Sequence, residues 1–150
     1  MSNRGYTDRE LRLVTEWAAT AYPEARVIQR YRVGTPPPYV PPGWTSEQVQ
    51  ALMKPTGFMV DAVVELPTTT LVVEAKTDNE SAAVGQLLFY VWLMKKYPQY
   101  QEVDVTHLLP VLLFARQYPD LLDFAASLGV ATSMYSPDWI QEFLRVGYTG

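Results

Sequence analysis

Three side chains set out the chemistry this sequence offers. Asp61 lies in the run FMVDAVVEL (Phe58–Leu66), and Glu74 and Lys76 lie in TLVVEAK (Thr70–Lys76). Alternate residues of a strand share a face, so Glu74 and Lys76 point the same way. Asp61 joins them only if the turn between the two runs allows it. A two-residue turn at Pro67-Thr68 sets Asp61 opposite Glu74. A four-residue turn over Pro67–Thr70 sets it opposite Lys76, still on the same face. A three-residue turn puts it on the other face. Two carboxylates and an ammonium amid Val60, Ala62, Val63, Val72 and Val73 are a costly scaffold, because like charges repel across a sheet and buried charge is unfavourable. A divalent cation reverses that cost. Carboxylate oxygens suit Mg²⁺ or Mn²⁺, which keep several waters and take phosphate oxygens as further ligands. Such an ion would acidify a bound water and stabilise charge at a phosphoryl centre, with the lysine orienting the water or neutralising developing charge. The competing reading is an exposed ladder of Glu74 and Lys76 on a half-buried strand.

The elements that must hold these residues follow from patterning. Thr7 or Asp8 is the expected cap of a helix reaching Tyr22, with Leu11, Val14, Trp17, Ala18 and Ala21 on its apolar face. Pro23 stops it, and Ala25–Val33 reads as a strand. The segment Gly34–Gly43 carries Pro36, Pro37, Pro38, Pro41 and Pro42, too many for a central strand, and reads as a stiff loop. Ser46–Met53 reads as a short helix capped by Ser46, and Lys54–Gly57 as a turn, so the Pro-rich insertion spans about 34–57. Phe58–Leu66 and Thr70–Lys76 form an antiparallel hairpin. Ser81–Lys96 is an apolar helix and Val105–Phe114 a strand, with Pro110 at a bulge or an edge. His107 is expected to pack within that strand. Tyr118–Leu128 is a helix ended by Gly129, Val130–Tyr135 a last strand and Pro137–Val146 a final helix capped by Ser136. This order describes one α/β (α+β) domain over residues 1–150, with a mixed sheet.

Composition removes most other chemistries. The 150 residues include no cysteine and one histidine, so thiolate and paired-histidine sites are excluded. No phosphate-binding glycine loop and no Gly-x-Ser-x-Gly elbow is present. No run reaches the ~18 apolar residues of a membrane span, and the N-terminus lacks a signal-peptide core. A cytoplasmic protein is expected, with no membrane partner. A net charge of −4 argues against a broad nucleic-acid footprint. Residues 1–32 offset this locally, with six arginines against four acids.

Asp61 followed by Glu74-Ala75-Lys76 on the next strand resembles the PD-(D/E)XK nuclease superfamily. A preceding helix with glutamates and a following helix with Gln86-x-x-x-Tyr90 extend the likeness, and the Gln/Tyr pair is similar to that of the recombination-exonuclease branch. The resemblance covers roughly Thr7–Phe114. Val60 stands at the position of the motif's proline, which many members lack. The likeness implies a restriction-endonuclease-like mixed sheet flanked by helices. It also implies a Mg²⁺- or Mn²⁺-dependent endo- or exonuclease acting on DNA in repair, recombination, restriction or phage DNA processing. Asp61, Glu74 and the Ala75 carbonyl would bind metal, and Lys76 would assist catalysis. Glu10 or Glu16 would complete the site. Glu10 is preferred because it shares a helix face with Val14 and Trp17, although it also reads as an ordinary first-turn acid. Gln86 and Tyr90 would face the site or the DNA backbone, unless they satisfy each other on a core helix. Many such nucleases act as dimers, so a homodimer belongs among the expectations. The alternative is a catalytically inactive nuclease fold serving as an interaction module that regulates a nucleic-acid machine.

Overall fold

The computed structural model describes residues 4–34, 39–53 and 58–147. Lys54–Gly57 and the prolines at 36–38 lie outside the described residues. The β-branched runs of the hairpin become β2 (Phe58–Glu65) and β3 (Thr70–Lys76). They turn at Pro67-Thr68, where the Leu66 amide donates to the Thr69 carbonyl at 2.9 Å. That is the two-residue turn, and it fixes the register Glu65↔Thr70 through Ala62↔Val73.

Three more strands complete a five-stranded sheet in the order β1-β2-β3-β4-β5. β1 (Arg26–Val33) pairs antiparallel with β2. β4 (Leu108–Phe114) and β5 (Ala131–Met134) add in parallel beyond β3. Parallel neighbours need crossovers, and these are helices α3 (Ala82–Lys96) and α4 (Pro119–Ser127). The remaining helices are α1 (Arg4–Ala21), α2 (Ser46–Met53) and α5 (Asp138–Gly147). Pro110 is tolerated because β5 pairs with β4 only from Val111 onward, so the missing N–H falls where β4 still has an open side.

The sheet divides two apolar layers. On one face Val63, Val72, Leu112 and Phe114 pack with Val84, Leu87, Tyr90 and Val91 of α3 and Leu121 and Ala125 of α4. On the other, Ala62, Val64, Val73, Ala75 and Leu113 pack with Leu13, Val14, Trp17 and Ala18 of α1 and Ile140 and Leu144 of α5. Leu113 is fully buried in this second layer. Leu113→Ala is expected to lower stability by about 3 kcal/mol, a lost side chain plus an unfilled cavity. Urea denaturation checks this, and a loss under about 1 kcal/mol would show that α1 or α5 closes the gap.

Several local expectations are corrected. α1 begins at Arg4, so Thr7 and Asp8 lie within it, and Asp8 pairs with Arg30 (3.1 Å) instead of capping. Its buried stripe includes Leu13, while Ala21 is exposed. Thr45, not Ser46, caps α2: the Gln48 amide donates to Thr45 Oγ1 (3.2 Å) and the Thr45 amide to Gln48 Oε1 (2.8 Å), a reciprocal capping box. β4 starts at Leu108 rather than Val105. Asp104 accepts from both the amide and hydroxyl of Thr106 (2.9 and 2.6 Å), which bends the chain there and leaves His107 exposed.

Candidate active site

The carboxylates meet where the hairpin opens. Backbone pairing of β2 with β3 ends at Ala62↔Val73, and the same register sets Asp61 across from Glu74. Side chains then replace the ladder. The Ala75 amide donates to Asp61 Oδ2 (2.8 Å), and the Asp61 amide donates to Glu74 Oε1 (2.9 Å). Each carboxylate is therefore locked onto the opposite strand through one of its two oxygens.

The reason for the opening lies in β1 and β2 together. Residues packed toward α3 are Ile28, Tyr31 and Val33 in β1, and Phe58, Val60 and Val63 in β2. Both series contain a step of three where a regular strand steps by two. The steps fall side by side, since Arg30 lies between the pairs Gln29↔Ala62 and Tyr31↔Val60, across from Asp61. Arg30 takes φ +51°, the left-handed region that a branched or long L-residue rarely adopts. This strained residue and Asp61 absorb the change of face, which frees the Asp61 side chain to reach the backbone of β3.

Electrostatics follow from burial. Burial raises the Asp61 carboxyl, opposed by the Ala75 N–H and the charges of Lys76 and Arg30. Glu74 is 6% exposed. Burial and then the Asp61 charge push it up to about 8, with the Asp61 N–H and Lys76 opposing and Glu10 adding to the rise. Burial disfavours the Lys76 ammonium, yet Glu10, Glu74, Glu80 and Asp61 together outweigh it and raise its pKa. Lys76 Nζ lies 3.5 Å from Glu80 Oε2. Burial, then Glu74, raise the Tyr90 phenol.

Of the residues singled out from sequence, Asp61, Glu74, Ala75 and Lys76 come together, and Tyr90 faces them from α3. Glu10 is buried on the stripe of α1 that carries Leu13, Val14 and Trp17, and its charge acts on Glu74 and Lys76. Glu16 is committed elsewhere, accepting from Trp139 Nε1 (2.7 Å) and Arg12 Nε (3.1 Å). Gln86 is exposed one helical turn before Tyr90. Arg30 was not anticipated. The sequence carries no signal for it, since β1 also holds Arg26, Gln29 and Arg32.

Among the described residues, no three Asp, Glu or His side chains gather closely enough to hold a metal unaided. Mg²⁺ does not require such a cage: one or two carboxylates with waters and a carbonyl suffice. Asp61, Glu74 and the Ala75 carbonyl would make that donor set. Burial, and after it the Asp61 charge, raise the Glu74 pKa, and a dication between the two carboxylates would offset both. The residues therefore fit a hard divalent cation. Two surface clefts, one lined by Tyr22–Arg26 with Glu65–Pro67 and one by Glu65–Thr70 with Asp104, Thr106 and His107, lie at the closed end of the hairpin. They are remote from this chemistry.

No protein-family profile matches the chain, and no curated protein matches it. The crystal structure of a protein of unknown function, AF1548, is similar with a TM-score of 0.53 and 12% identity, over 85% of this chain and 60% of that one. The structure of an EndoMS–dsDNA complex is similar with a TM-score of 0.51 and 16% identity, over 85% of this chain and 45% of that one. The chain thus spans less than two thirds of either neighbour. No helix among the described residues is long and apolar enough to cross a membrane. The five-stranded mixed sheet, the helices on both its faces and these two likenesses give the chain a restriction-endonuclease-like α/β fold.

Proposed function

We propose that the protein is a metal-dependent DNA nuclease of the PD-(D/E)XK type. The observation that carries this reading is half-buried Asp61 beside buried Glu74 at the mouth of an opened hairpin, with Lys76 two residues on along the same strand. Perturbed carboxylates held against each other mark functional sites more often than scaffolds. Asp61, Glu74 and the Ala75 carbonyl would hold Mg²⁺ or Mn²⁺, with Glu10 close enough in charge to add a water-mediated contact. The ion, when bound, supplies a positive centre for the phosphate oxygens and for the attacking water. Lys76, kept charged by the surrounding acids, orients the water or balances charge on the phosphate. Tyr90 closes the site from α3, and Gln86 would face the DNA backbone. The likeness to a structure solved with dsDNA supports DNA as the partner.

The test is titration of Mg²⁺ or Mn²⁺ into wild type and Asp61→Ala/Glu74→Ala protein, followed by incubation with mixed DNA substrates. Metal binding and cleavage are expected in wild type and both should vanish in the double variant. Cleavage that survives the double substitution overturns the residue assignment. A second reading, a nuclease fold retained as an interaction module, is favoured by the net charge of −4 and the lack of a ready-made three-acid cage among the described residues. It predicts neither metal binding nor cleavage in wild type.

A further inference from the structure

The site opens onto an exposed row of aromatic rings. Phe58 packs on Tyr90 with centroids 5.6 Å apart and edge-on against Phe89 at 5.7 Å. Phe89 stacks nearly parallel with Trp92, at 6.2 Å and 13°. Lys96 sits over the Trp92 ring at 4.8 Å. Phe58, Phe89 and Trp92 are 46%, 44% and 54% exposed. Rings of this size left in water cost free energy that a core role does not explain.

Charge separates the possible occupants of this row. The chain carries a net −4, yet α3 has two lysines, Lys95 and Lys96, and no acid. The centre of a protein–protein interface is depleted in lysine, whereas sites for unpaired nucleic acid combine cations for the backbone with rings for the bases. Geometry agrees. From Gln86 to Lys96 is ten residues of helix, about 15 Å, the span of about four stacked nucleotides. Gly85 lies exposed beside Gln86, and a Cβ there would meet nothing within 4 Å. The start of the row is therefore clear for a close approach.

We propose that Phe58, Phe89 and Trp92 form a stacking platform for unpaired DNA bases, leading a single strand along α3 past Tyr90 to Asp61 and Glu74. The proposal rests on the nuclease reading and names its substrate: single-stranded or frayed DNA. The rings hold bases without regard to sequence, and Lys95 and Lys96 hold the phosphates.

The experiment is fluorescence anisotropy with a labelled oligothymidylate and an abasic strand of equal length, with Ca²⁺ replacing Mg²⁺ so that nothing is cut. Wild type is expected to bind the base-bearing strand about tenfold or more tightly than the abasic one. Phe89→Ala/Trp92→Ala, changes at exposed positions that the core does not use, should erase most of that preference. Lys95→Ala/Lys96→Ala should weaken both strands alike and flatten the salt dependence. Equal binding of the two strands by wild type overturns the proposal. So does an undiminished preference in the aromatic variant, or a wild-type dimer in sedimentation that Trp92→Ala converts to monomer without changing oligonucleotide binding. Cleavage without base preference removes the platform and leaves the nuclease, whereas base preference without cleavage does the reverse.

Discussion

Glu74→Gln is expected to make the metal-free protein more heat-stable at neutral pH while it stops cleavage. The carboxyl of Glu74 is pushed from 4.5 to about 8 by burial and by Asp61. Between those two values the folded chain keeps a proton that the unfolded chain releases. The stabilisation from that bound proton is complete below about 4.5 and is lost progressively as pH rises through about 8. At pH 7 the loss relative to acid pH is roughly 3 kcal/mol, at 1.36 kcal/mol per unit. Glutamine is neutral at every pH and keeps an oxygen to accept the Asp61 N–H, so it removes the loss, less whatever its new NH₂ group costs. In EDTA the two melting curves should coincide near pH 4.5 and separate by several degrees at pH 8, wild type being the lower. With Mg²⁺ the order should reverse, because only the wild type gains from binding. Cleavage should fall by about a thousandfold or more, the scale of several kcal/mol of lost charge stabilisation. A variant less stable than wild type throughout pH 5–8 in EDTA would falsify the claim that Glu74 is a strained carboxylate.

The same pair shows what could be read in the sequence. Pro67-Thr68 between two β-branched runs announced the hairpin, and its length restricted Asp61 to a position across from Glu74 or Lys76, or to the opposite face. The structure selects the first of these. Turn chemistry and side-chain alternation are local, so they survive without knowledge of the fold. The order of helices and strands was legible for the same reason. The opening of β2 from β3 was not. It depends on Arg30 entering the left-handed region beside Asp61, and no residue type at position 30 signals a positive φ as glycine or asparagine would. The caps fared similarly. Thr45 and Ser46 are adjacent and equally competent, and only the reciprocal bond to Gln48 decides between them. His107 was misplaced because Val105, Leu108 and Leu109 read as one apolar run, while Asp104 and Thr106 bend it. The apolar content of α3 hid the difference between Leu87, which is buried, and Phe89 and Trp92, which are not. Helical periodicity weakens when both faces are apolar.

On the proposed nuclease reading Lys76 both balances charge and assists cleavage, and the two roles predict different results for two substitutions. Lys76→Met removes a charge that lowers Glu74. The Glu74 carboxyl should then lie above about 8, and Mg²⁺, which needs it ionised, should bind only at higher pH. Calorimetric titration across pH 6–9 would show the midpoint of binding moving upward. Cleavage should fall by about 10²- to 10³-fold even where metal is saturating, because the donor aimed at the developing charge is gone. The partner left behind, Glu80, is 40% exposed and remains solvated, so the variant should fold. Lys76→Arg restores the charge but replaces a compact ammonium with a planar fork. It should return the pH midpoint of metal binding close to the wild-type value and recover little of the rate. If both variants bind metal as wild type does and cleave as fast, Lys76 is an ordinary strand residue. If Lys76→Met loses binding and rate in parallel and Lys76→Arg recovers both, its role is confined to the charge balance that lets Asp61 and Glu74 ionise together.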